Sequence, residues 1–398
     1  MTLVAEAKGW SGERGGRILG YPVNMKALPA AFFAWRERLF AEGIGRFAHN
    51  NVGDPFGSVP VSFNTHDFER ELILRFGRIY GFLPSDTWGF LSHSGTDSNL
   101  HGMYMGRTLL KARTGRAPKC YFTREAHYSI QILCDLLGLE AVWVGTLPDA
   151  GMDPQDLGRK LAQNPAHPAL VVATIGTTFK GAIDPVDRIR QVLQGKESYL
   201  HLDAALFGGY LPHTSGAGEV CHRAPNGPPG RYDSIAVSCH KFFGFPSPAG
   251  LFITTRNNFK RFNERYRQIH NAEYIGHAPG TITCSRDAVK PAEFYFFSTP
   301  EALAVQAEDA RTILRRTAWL LDRLERDFPM LRPRRVNDLS NIIFFRHPGR
   351  WIVEKYALAT MHLEIGAGRR EYAHVVVMPH VDREMLTGFL ADLHRAVA

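Results

Sequence analysis

Cysteine is scarce in this sequence, and the few cysteines form no recognisable binding pattern. None of the five belongs to a CxxC pair or to a spacing typical of metal sites, so we expect no metal centre. An odd, scattered set of thiols is typical of a reducing compartment, and we expect a cytoplasmic protein. The cysteines are Cys120, Cys134, Cys221, Cys239 and Cys284.

Long apolar segments are missing as well. No stretch of about 18 consecutive apolar residues occurs, which argues against a membrane-spanning helix. The first twenty residues, Met1–Gly20, mix charges and glycines and lack the apolar core of a signal peptide. We therefore predict no signal peptide and no membrane partner.

Clustered charge is also absent, although the chain is basic overall. The formal net charge is +8 at pH 7, but the densest basic stretches, Arg261–Arg267 and Arg332–Arg335, are interleaved with apolar or acidic residues. We expect no nucleic-acid partner for this reason. A dispersed positive charge instead favours small anionic ligands such as phosphates and carboxylates.

The sequence does contain a regular alternation of short apolar strands and helices. Hydrophobic residues make up 44% and charged residues 22% of the 398 positions, which is ordinary for a globular protein with room for two or three domains. Near-continuous apolar runs indicate strands covered on both faces. The β-α-β-α order predicts a doubly wound α/β domain with a mainly parallel sheet. The strand candidates are Trp88–Ser92, Lys119–Thr123, Glu140–Val144, Ala169–Ile175, Tyr199–Leu202, Ser234–Ser238 and Gly250–Thr254.

Three units are predicted along the chain. Residues 1–60 are rich in Gly, Pro and Asn and predict an N-terminal arm with one amphipathic helix at Ala30–Ala41. Residues 61–285 hold the large domain, which begins with helical periodicity over Thr65–Tyr80. Residues 286–398 predict a smaller α+β domain. Its elements are a helix at Pro300–Asp327, strands at Asn341–Phe345 and His374–Met378, and a last helix at Arg383–Val397.

Lys241 stands in an unusual place for a lysine. It follows the apolar strand Ile235–Val237 and a Ser-Cys-His turn, and Phe242 and Phe243 come directly after it. Partial desolvation there would lower the pKa of the amine and leave it neutral, as Schiff-base formation requires. The alternative is a lysine that extends from a strand end toward solvent.

Asp203 ends another apolar strand, Tyr199–Leu202. Ligands of α/β proteins bind at this end of the strands, and a carboxylate there can pair with a protonated ring nitrogen. At a separation of about 3 Å and an effective dielectric near 20, the attraction is on the order of 5 kcal/mol before desolvation. The alternative is an aspartate that caps the next turn.

Three weaker signals also follow predicted strands. The small hydroxyl-rich stretch Ser94–Asn99 opens a helix and is typical of a phosphate site, or alternatively of an ordinary N-cap. His127 is placed to lie over an aromatic ring, or alternatively serves as a structural histidine. Thr177 and Thr178 carry hydroxyls that suit a phenolic oxygen.

All five signals lie at the carboxyl ends of strands in one predicted sheet. Their order along the chain resembles that of the fold-type I enzymes, which use pyridoxal 5′-phosphate (PLP). The strings resemble most the group II decarboxylases, in particular the histidine decarboxylase and serine decarboxylase branch. The resemblance spans nearly the whole chain. The matching stretches are Gly20–Pro22, Asn50–Pro55, Phe68–Glu71, Ser94–Asn99, Ala126–Ser129, Ile175–Thr178, Lys180–Asp184, Asp203–Ala205, Ser238–Lys241 and Met378–His380.

The resemblance implies a role for each matching residue. Lys241 holds PLP as a Schiff base, and Asp203 pairs with the pyridine nitrogen. Ala205 packs on one face of the ring and His127 stacks on the other. The catalytic residues are Lys241, Asp203 and His127. The phosphate is bound by Ser94, Gly95, Thr96, Ser238 and His240. The phenolic oxygen is bound by Thr178. Tyr21, Asn51 and Ser285 are the candidate substrate residues.

The resemblance further implies an L-amino-acid decarboxylase with its site at a homodimer interface, or in a higher oligomer. Two departures bear on the substrate. Where the branch usually reads Gly-Ser-Arg-Asn-Gly-His, residues 284–289 read Cys-Ser-Arg-Asp-Ala-Val, and Cys239 replaces a usual glycine. Histidine, serine and a non-standard amino acid therefore stay open as substrates. Transamination or retro-aldol cleavage on the same scaffold also stays open, as does a catalytically silent binding protein.

Overall fold

The computed structural model describes residues 17–57, 62–223, 230–269, 280–365 and 368–397. Within these residues a seven-stranded sheet forms the centre, with the order β1-β7-β6-β5-β4-β2-β3. The predicted strands are all present, with ends that differ by one residue at most. The strands are β1 Thr87–Ser92, β2 Lys119–Thr123, β3 Ala141–Val144, β4 Ala169–Thr174, β5 Ser198–Asp203, β6 Ser234–Ser238 and β7 Gly250–Thr255.

Strand direction confirms the predicted α/β class. β2 to β6 run parallel to one another, and β7 runs antiparallel to both β6 and β1. β1 therefore points the same way as β6. As a result the carboxyl ends of β1, β2, β4, β5 and β6 all lie at one edge of the sheet.

The core alternates along the strands, because successive side chains point to opposite faces. In β4, Leu170 and Val172 pack into one apolar cluster, while Val171 and Ala173 pack into the other. Both faces of the sheet are covered, as the continuous apolar runs predicted. The helices of the described residues are α1 Ala30–Ala41, α2 His66–Ile79, α3 Gly95–Thr114, α4 Ser129–Leu136, α5 Pro154–Gln163, α6 Val186–Val192, α7 Phe207–Tyr210, α8 Arg256–Ile269, α9 Val289–Phe294, α10 Pro300–Asp327, α11 Arg350–Lys355 and α12 Arg383–Val397.

Helix α3 lies directly on the sheet, against β4 to β7. Two glycines permit this close approach. A Cβ atom on Gly102 would come within 2.4 Å of the His201 ring, and one on Gly106 within 2.7 Å of Leu170. The helix is therefore held at a short distance from the strands, which fixes the position of its N-terminus.

A second, antiparallel sheet lies in the C-terminal part, in the order β8-β10-β9. Its strands are β8 Ile342–Arg346, β9 Ala359–Glu364 and β10 Arg369–Val376. Two of them were predicted, with shifted ends for β10. β9 was missed because it is an edge strand whose side chains are mostly exposed, so its sequence lacks an apolar run.

The boundaries at residues 60 and 285 stay predictions, and residues 1–16 and 58–60 of the predicted arm lie outside the described residues. The described part of the arm packs on the rest of the chain. Phe32 of α1 is fully buried, and the Trp35 indole donates to the carbonyl of Ala292 at 2.9 Å. No helix of the described residues is long and apolar enough to cross a membrane.

A buried ion pair joins four distant segments beside β1. Glu69 of α2 pairs with Arg286, and both side chains are almost fully buried. The Glu69 carboxylate also accepts hydrogen bonds from the Leu91 N–H at 2.9 Å and the Asn51 amide at 3.1 Å. Arg286 donates to the carbonyl of Gly53 at 2.9 Å. Each charge is thereby paired and hydrogen-bonded, which a buried charge requires.

Glu69→Gln should destabilise the fold strongly. The substitution preserves the shape of the side chain but leaves the Arg286 charge buried without a counter-charge, which costs about 3–5 kcal/mol. Urea unfolding followed by circular dichroism measures the change in the free energy of unfolding. Glu354→Gln is the matched control, because the Arg350–Glu354 pair is largely exposed and should contribute at most about 1 kcal/mol. Equal losses in the two variants would contradict this account.

Candidate active site

A cavity of about 240 Å³ opens at the edge where the five strands end. Loops after β1, β2, β4, β5 and β6 form most of its walls, and the small sheet and the N-terminal segment close the rest through Ile342, Val376 and Pro22. All ten residues predicted to bind the cofactor line this cavity. They are Ser94, Gly95, Thr96, His127, Thr178, Asp203, Ala205, Ser238, His240 and Lys241.

Lys241 follows β6 in a tight turn. Gly244 has a φ of 71°, a left-handed conformation that favours glycine, and its N–H donates to the Lys241 carbonyl at 3.2 Å. Burial lowers the pKa of the Lys241 amine, and the nearby Asp203 carboxylate opposes that shift. The neutral, nucleophilic form of the amine is therefore more accessible than it would be for a solvated lysine.

Asp203 ends β5 at the floor of the cavity, where it is 3% exposed. One oxygen, Oδ1, accepts the Ala205 N–H at 3.2 Å, so this carboxylate does cap the following turn. It also faces the cavity, because Asp203 is among the lining residues. Capping and binding are therefore compatible in one side chain.

The N-terminus of α3 enters the cavity. Ser94 is its N-cap, and the Ser94 hydroxyl accepts the Asp97 N–H at 3.1 Å. The first turn of a helix leaves backbone N–H groups without an intrahelical acceptor, and the positive end of the helix dipole favours an anion there. A Cβ on Gly95 would lie 2.4 Å from the Ser238 hydroxyl. Glycine thus allows Ser238 to join the same anion-binding cradle.

His127 lies in the loop after β2, and its protonation state can be read from its contacts. The Nδ1 atom accepts the Ser129 N–H at 3.3 Å and lies 2.8 Å from the Ser129 hydroxyl. Burial lowers the pKa of the imidazole, Asp203 raises it, and Lys241 lowers it. The neutral ring therefore carries its proton on Nε2, because Nδ1 is an acceptor.

The turn after β4 supplies hydroxyls to the cavity. Thr177 and Thr178 both line it, and the hydroxyl of Thr177 also accepts the Ala182 N–H at 2.9 Å, which stabilises the turn. Thr174 also lines the cavity, and its buried hydroxyl has no hydrogen-bond partner among the described residues. Such an orphaned polar atom fits a polar ligand. Thr174 begins the hydroxyl-bearing stretch that the sequence pointed to, but it was not among the predicted site residues.

An ion pair connects two loops of the cavity. Lys180, close to Thr178 in the chain, pairs with Glu125, close to His127, and both side chains are largely buried. The pair holds the loop after β2 against the loop after β4. The positions of His127 and Thr178 therefore depend on each other.

The three candidate substrate residues are described, but none of them lines the cavity. Tyr21 is 49% exposed and adjoins Pro22, which does line it. Asn51 is fully buried, and its side-chain oxygen accepts the Thr65 N–H at 2.8 Å. Ser285 is exposed and accepts a hydrogen bond from the Asn50 amide at 3.0 Å. A substrate role for these residues stays a prediction.

The chemistry of the lining fits PLP. A lysine amine whose pKa is lowered by burial, a buried carboxylate, an anion-binding helix end and an imidazole that accepts a hydrogen bond at Nδ1 surround one space of suitable size. No cluster of histidine, cysteine, aspartate or glutamate that suits a metal occurs in the residues described. The cavity thus combines the groups that bind the aldehyde, ring nitrogen and phosphate of this cofactor.

Comparison with known proteins agrees with the cavity. Residues 105–297 match the pyridoxal-dependent decarboxylase conserved domain. The chain is 30% identical to a histidine decarboxylase of Solanum lycopersicum, over 96% of this chain and 85% of the relative. It is also 30% identical to serine decarboxylase 1 of Oryza sativa subsp. japonica, over 96% of this chain and 72% of that protein.

A solved structure shows the same fold. The L-methionine decarboxylase of Streptomyces sp. 590 superposes with a TM-score of 0.82, covering 98% of this chain and 93% of that one at 21% identity. The predicted fold-type I architecture and the predicted cofactor, PLP, are both confirmed. The chain belongs to the family of pyridoxal-dependent decarboxylases, in the branch that contains the histidine and serine decarboxylases.

Proposed function

We propose that this protein decarboxylates an L-amino acid and releases carbon dioxide and the corresponding amine, with histidine as the first candidate substrate. Serine and a non-standard amino acid are the alternatives. The observation that carries the proposal is the meeting of Lys241, Asp203 and His127 in one cavity of a chain that aligns with amino acid decarboxylases over 96% of its length.

When bound, PLP supplies an electron sink for the bond that breaks at the substrate α-carbon. The neutral Nζ of Lys241 is the nucleophile that attaches the cofactor. Asp203 would hold a proton on the ring nitrogen through charge attraction, and the N-terminus of α3 would bind the phosphate. His127 would cover the ring.

A proton must reach the α-carbon after carbon dioxide leaves. Two groups of this cavity can deliver it: the Nζ of Lys241 and the Nε2–H of His127. Tyr128, which the sequence also suggested, is 68% exposed and does not line the cavity in the single chain. We therefore propose Lys241 and His127 as the proton donors.

We further propose a homodimer with the active site at its interface. Helix α4 follows His127 closely and exposes an apolar stripe, because Tyr128, Ile132 and Leu136 are 68%, 56% and 66% exposed. Their spacing of four residues places them on one face. A second copy of the chain would cover this stripe and would thereby approach the cavity.

A cytoplasmic location is proposed as well. All five cysteines lie in the described residues and are free thiols, which is usual in a reducing compartment.

Purified protein loaded with PLP should release carbon dioxide from one or a few members of an amino acid panel. Mass spectrometry should identify the matching amines, and reduction with borohydride should leave the cofactor on the peptide that contains Lys241. Lys241→Ala, checked for folding by circular dichroism, is the control. Formation of a keto acid or an aldehyde in place of the amine would refute decarboxylation and support transamination or retro-aldol cleavage.

Asp203→Asn should lower kcat by at least about 100-fold, since the loss of a few kcal/mol of charge attraction has that effect. The asparagine retains an oxygen for the Ala205 N–H, so the turn should persist. Steady-state kinetics at saturating PLP gives the change. Asp203→Glu restores the charge and should recover part of the rate. Wild-type kcat in the Asp203→Asn enzyme would exclude a role for this charge.

The neutral form of His127 predicts an acid limb in the pH profile. Because burial lowers its pKa below 6.5, kcat/KM should be flat above that value and fall as the ring protonates at lower pH. Ser129→Ala removes a hydroxyl that bonds the neutral Nδ1, so the limb should shift to higher pH. The measurement is kcat/KM between pH 5 and 8. An unchanged limb in Ser129→Ala would show that another group titrates.

A further inference from the structure

His374 lies outside the cavity and connects two of its walls. It is a residue of β10, is 3% exposed and stacks on Phe179 with ring centroids 4.5 Å apart. Its Nδ1 lies 2.9 Å from the carbonyl oxygen of Phe179, and its Nε2 lies 2.8 Å from that of Gly20. Both partners are hydrogen-bond acceptors only.

The number of donors on the ring decides how many of these contacts are bonds. A neutral imidazole has one N–H and an imidazolium has two. Only protonated His374 donates to Phe179 and Gly20 together. Burial lowers the pKa of this ring, and the two carbonyls raise it, so the second bond forms as the pH falls.

Gly20 belongs to a segment that runs along the edge of the cavity. Val376 of β10 donates its N–H to the Leu19 carbonyl at 2.6 Å, and a Cβ on Gly20 would lie 2.4 Å from the carbonyl of Ala357. The segment is thus pressed against the small sheet. Pro22, two residues further, lines the cavity.

The same segment reaches the turn of the Schiff-base lysine. The Asn24 amide donates to the carbonyl of Phe242 at 2.7 Å, and Phe242 follows Lys241. On the other side, Phe179 follows Thr178, which lines the cavity. His374 therefore connects the wall that carries Thr178 to the segment that leads to Lys241.

The surroundings of the ring are apolar in the part of the chain that the structure describes. Its neighbours across the small sheet are Phe344 of β8 and Ala359 of β9. The charged residue next to Phe179 is Lys180, and it is paired with Glu125. No described side chain forms an ion pair with His374, so the two carbonyls are the polar partners of its charge.

We propose that His374 is a positioning residue that holds the Phe179 turn and the Gly20 segment at a fixed separation, and that its protonation tightens PLP binding by adding the second hydrogen bond. The proposal rests on the cofactor site described above and on no particular reaction. A neighbouring residue supplies a contrast. His380 accepts the Met25 N–H at Nδ1, at 3.2 Å, and lies 3.3 Å from the Ile18 carbonyl at Nε2, so its neutral form satisfies both contacts.

The test compares the dissociation constant of PLP in wild type, His374→Gln and His380→Gln between pH 5.5 and 8, measured by absorbance of the bound cofactor. The ratio of variant to wild type cancels the titration of PLP and of Lys241, which all three proteins share. For His374→Gln the ratio should rise as the pH falls, toward about fivefold where the ring is protonated, as for the loss of one hydrogen bond. For His380→Gln it should not rise as the pH falls. A His374→Gln ratio that is constant with pH would overturn the proposal.

A second measurement needs no variant and remains decisive if His374→Gln fails to fold. Hydrogen exchange of the peptide that covers residues 177–183 is followed in the wild-type holoenzyme over the same pH range and corrected for the intrinsic rate. Protection should rise as the pH falls through the pKa of His374. Protection that is independent of pH would also overturn the proposal. Neither readout involves turnover. If both tests succeed but the enzyme forms a keto acid, the proposed decarboxylation is refuted and the role of His374 is not.

Discussion

Strand direction is the constraint on which the active site depends. Because β1, β2, β4, β5 and β6 end at the same edge of the sheet, five loops that are far apart in sequence surround one cavity. The strands are covered on both faces, so each loop begins from a rigid, apolar base. Close packing of α3 through Gly102 and Gly106 then brings the anion-binding helix end to the same place.

Electrostatic balance decides the protonation states within that cavity. Burial disfavours charge on both Lys241 and His127, and the single carboxylate of Asp203 attracts a proton to each. The two cations would also repel each other. The arrangement lowers the pKa of both bases, which favours the nucleophilic amine and the ring-stacking imidazole. Loss of the Asp203 charge would lower both pKa values further.

Local patterns made much of this structure predictable. The apolar strands, the Ser94 N-cap and the position of Lys241 could be predicted because each depends on neighbouring residues in the chain. The contributions of Pro22, Ile342 and Val376 to the cavity could not, because they come from segments brought together only by tertiary packing. Asn51, a residue within a matching string, has contacts that serve the fold, and its substrate role stays a prediction. β9 escaped prediction because an exposed edge strand needs no apolar run.

The ion pair between Glu69 and Arg286 has a consequence for how this protein can diversify. Arg286 lies in the middle of the segment that departs from the usual string of its branch, and its side chain is anchored to α2 and to the Gly53 carbonyl. Within the same segment, Asp287 accepts the N–H of Val289 at 2.8 Å and so starts α9. These contacts hold the backbone of the segment in place, whereas the side chains of Cys284 and Ser285 are exposed. Exchange of those exposed neighbours should cost little stability, so the sequence of this segment can vary while its backbone stays in place.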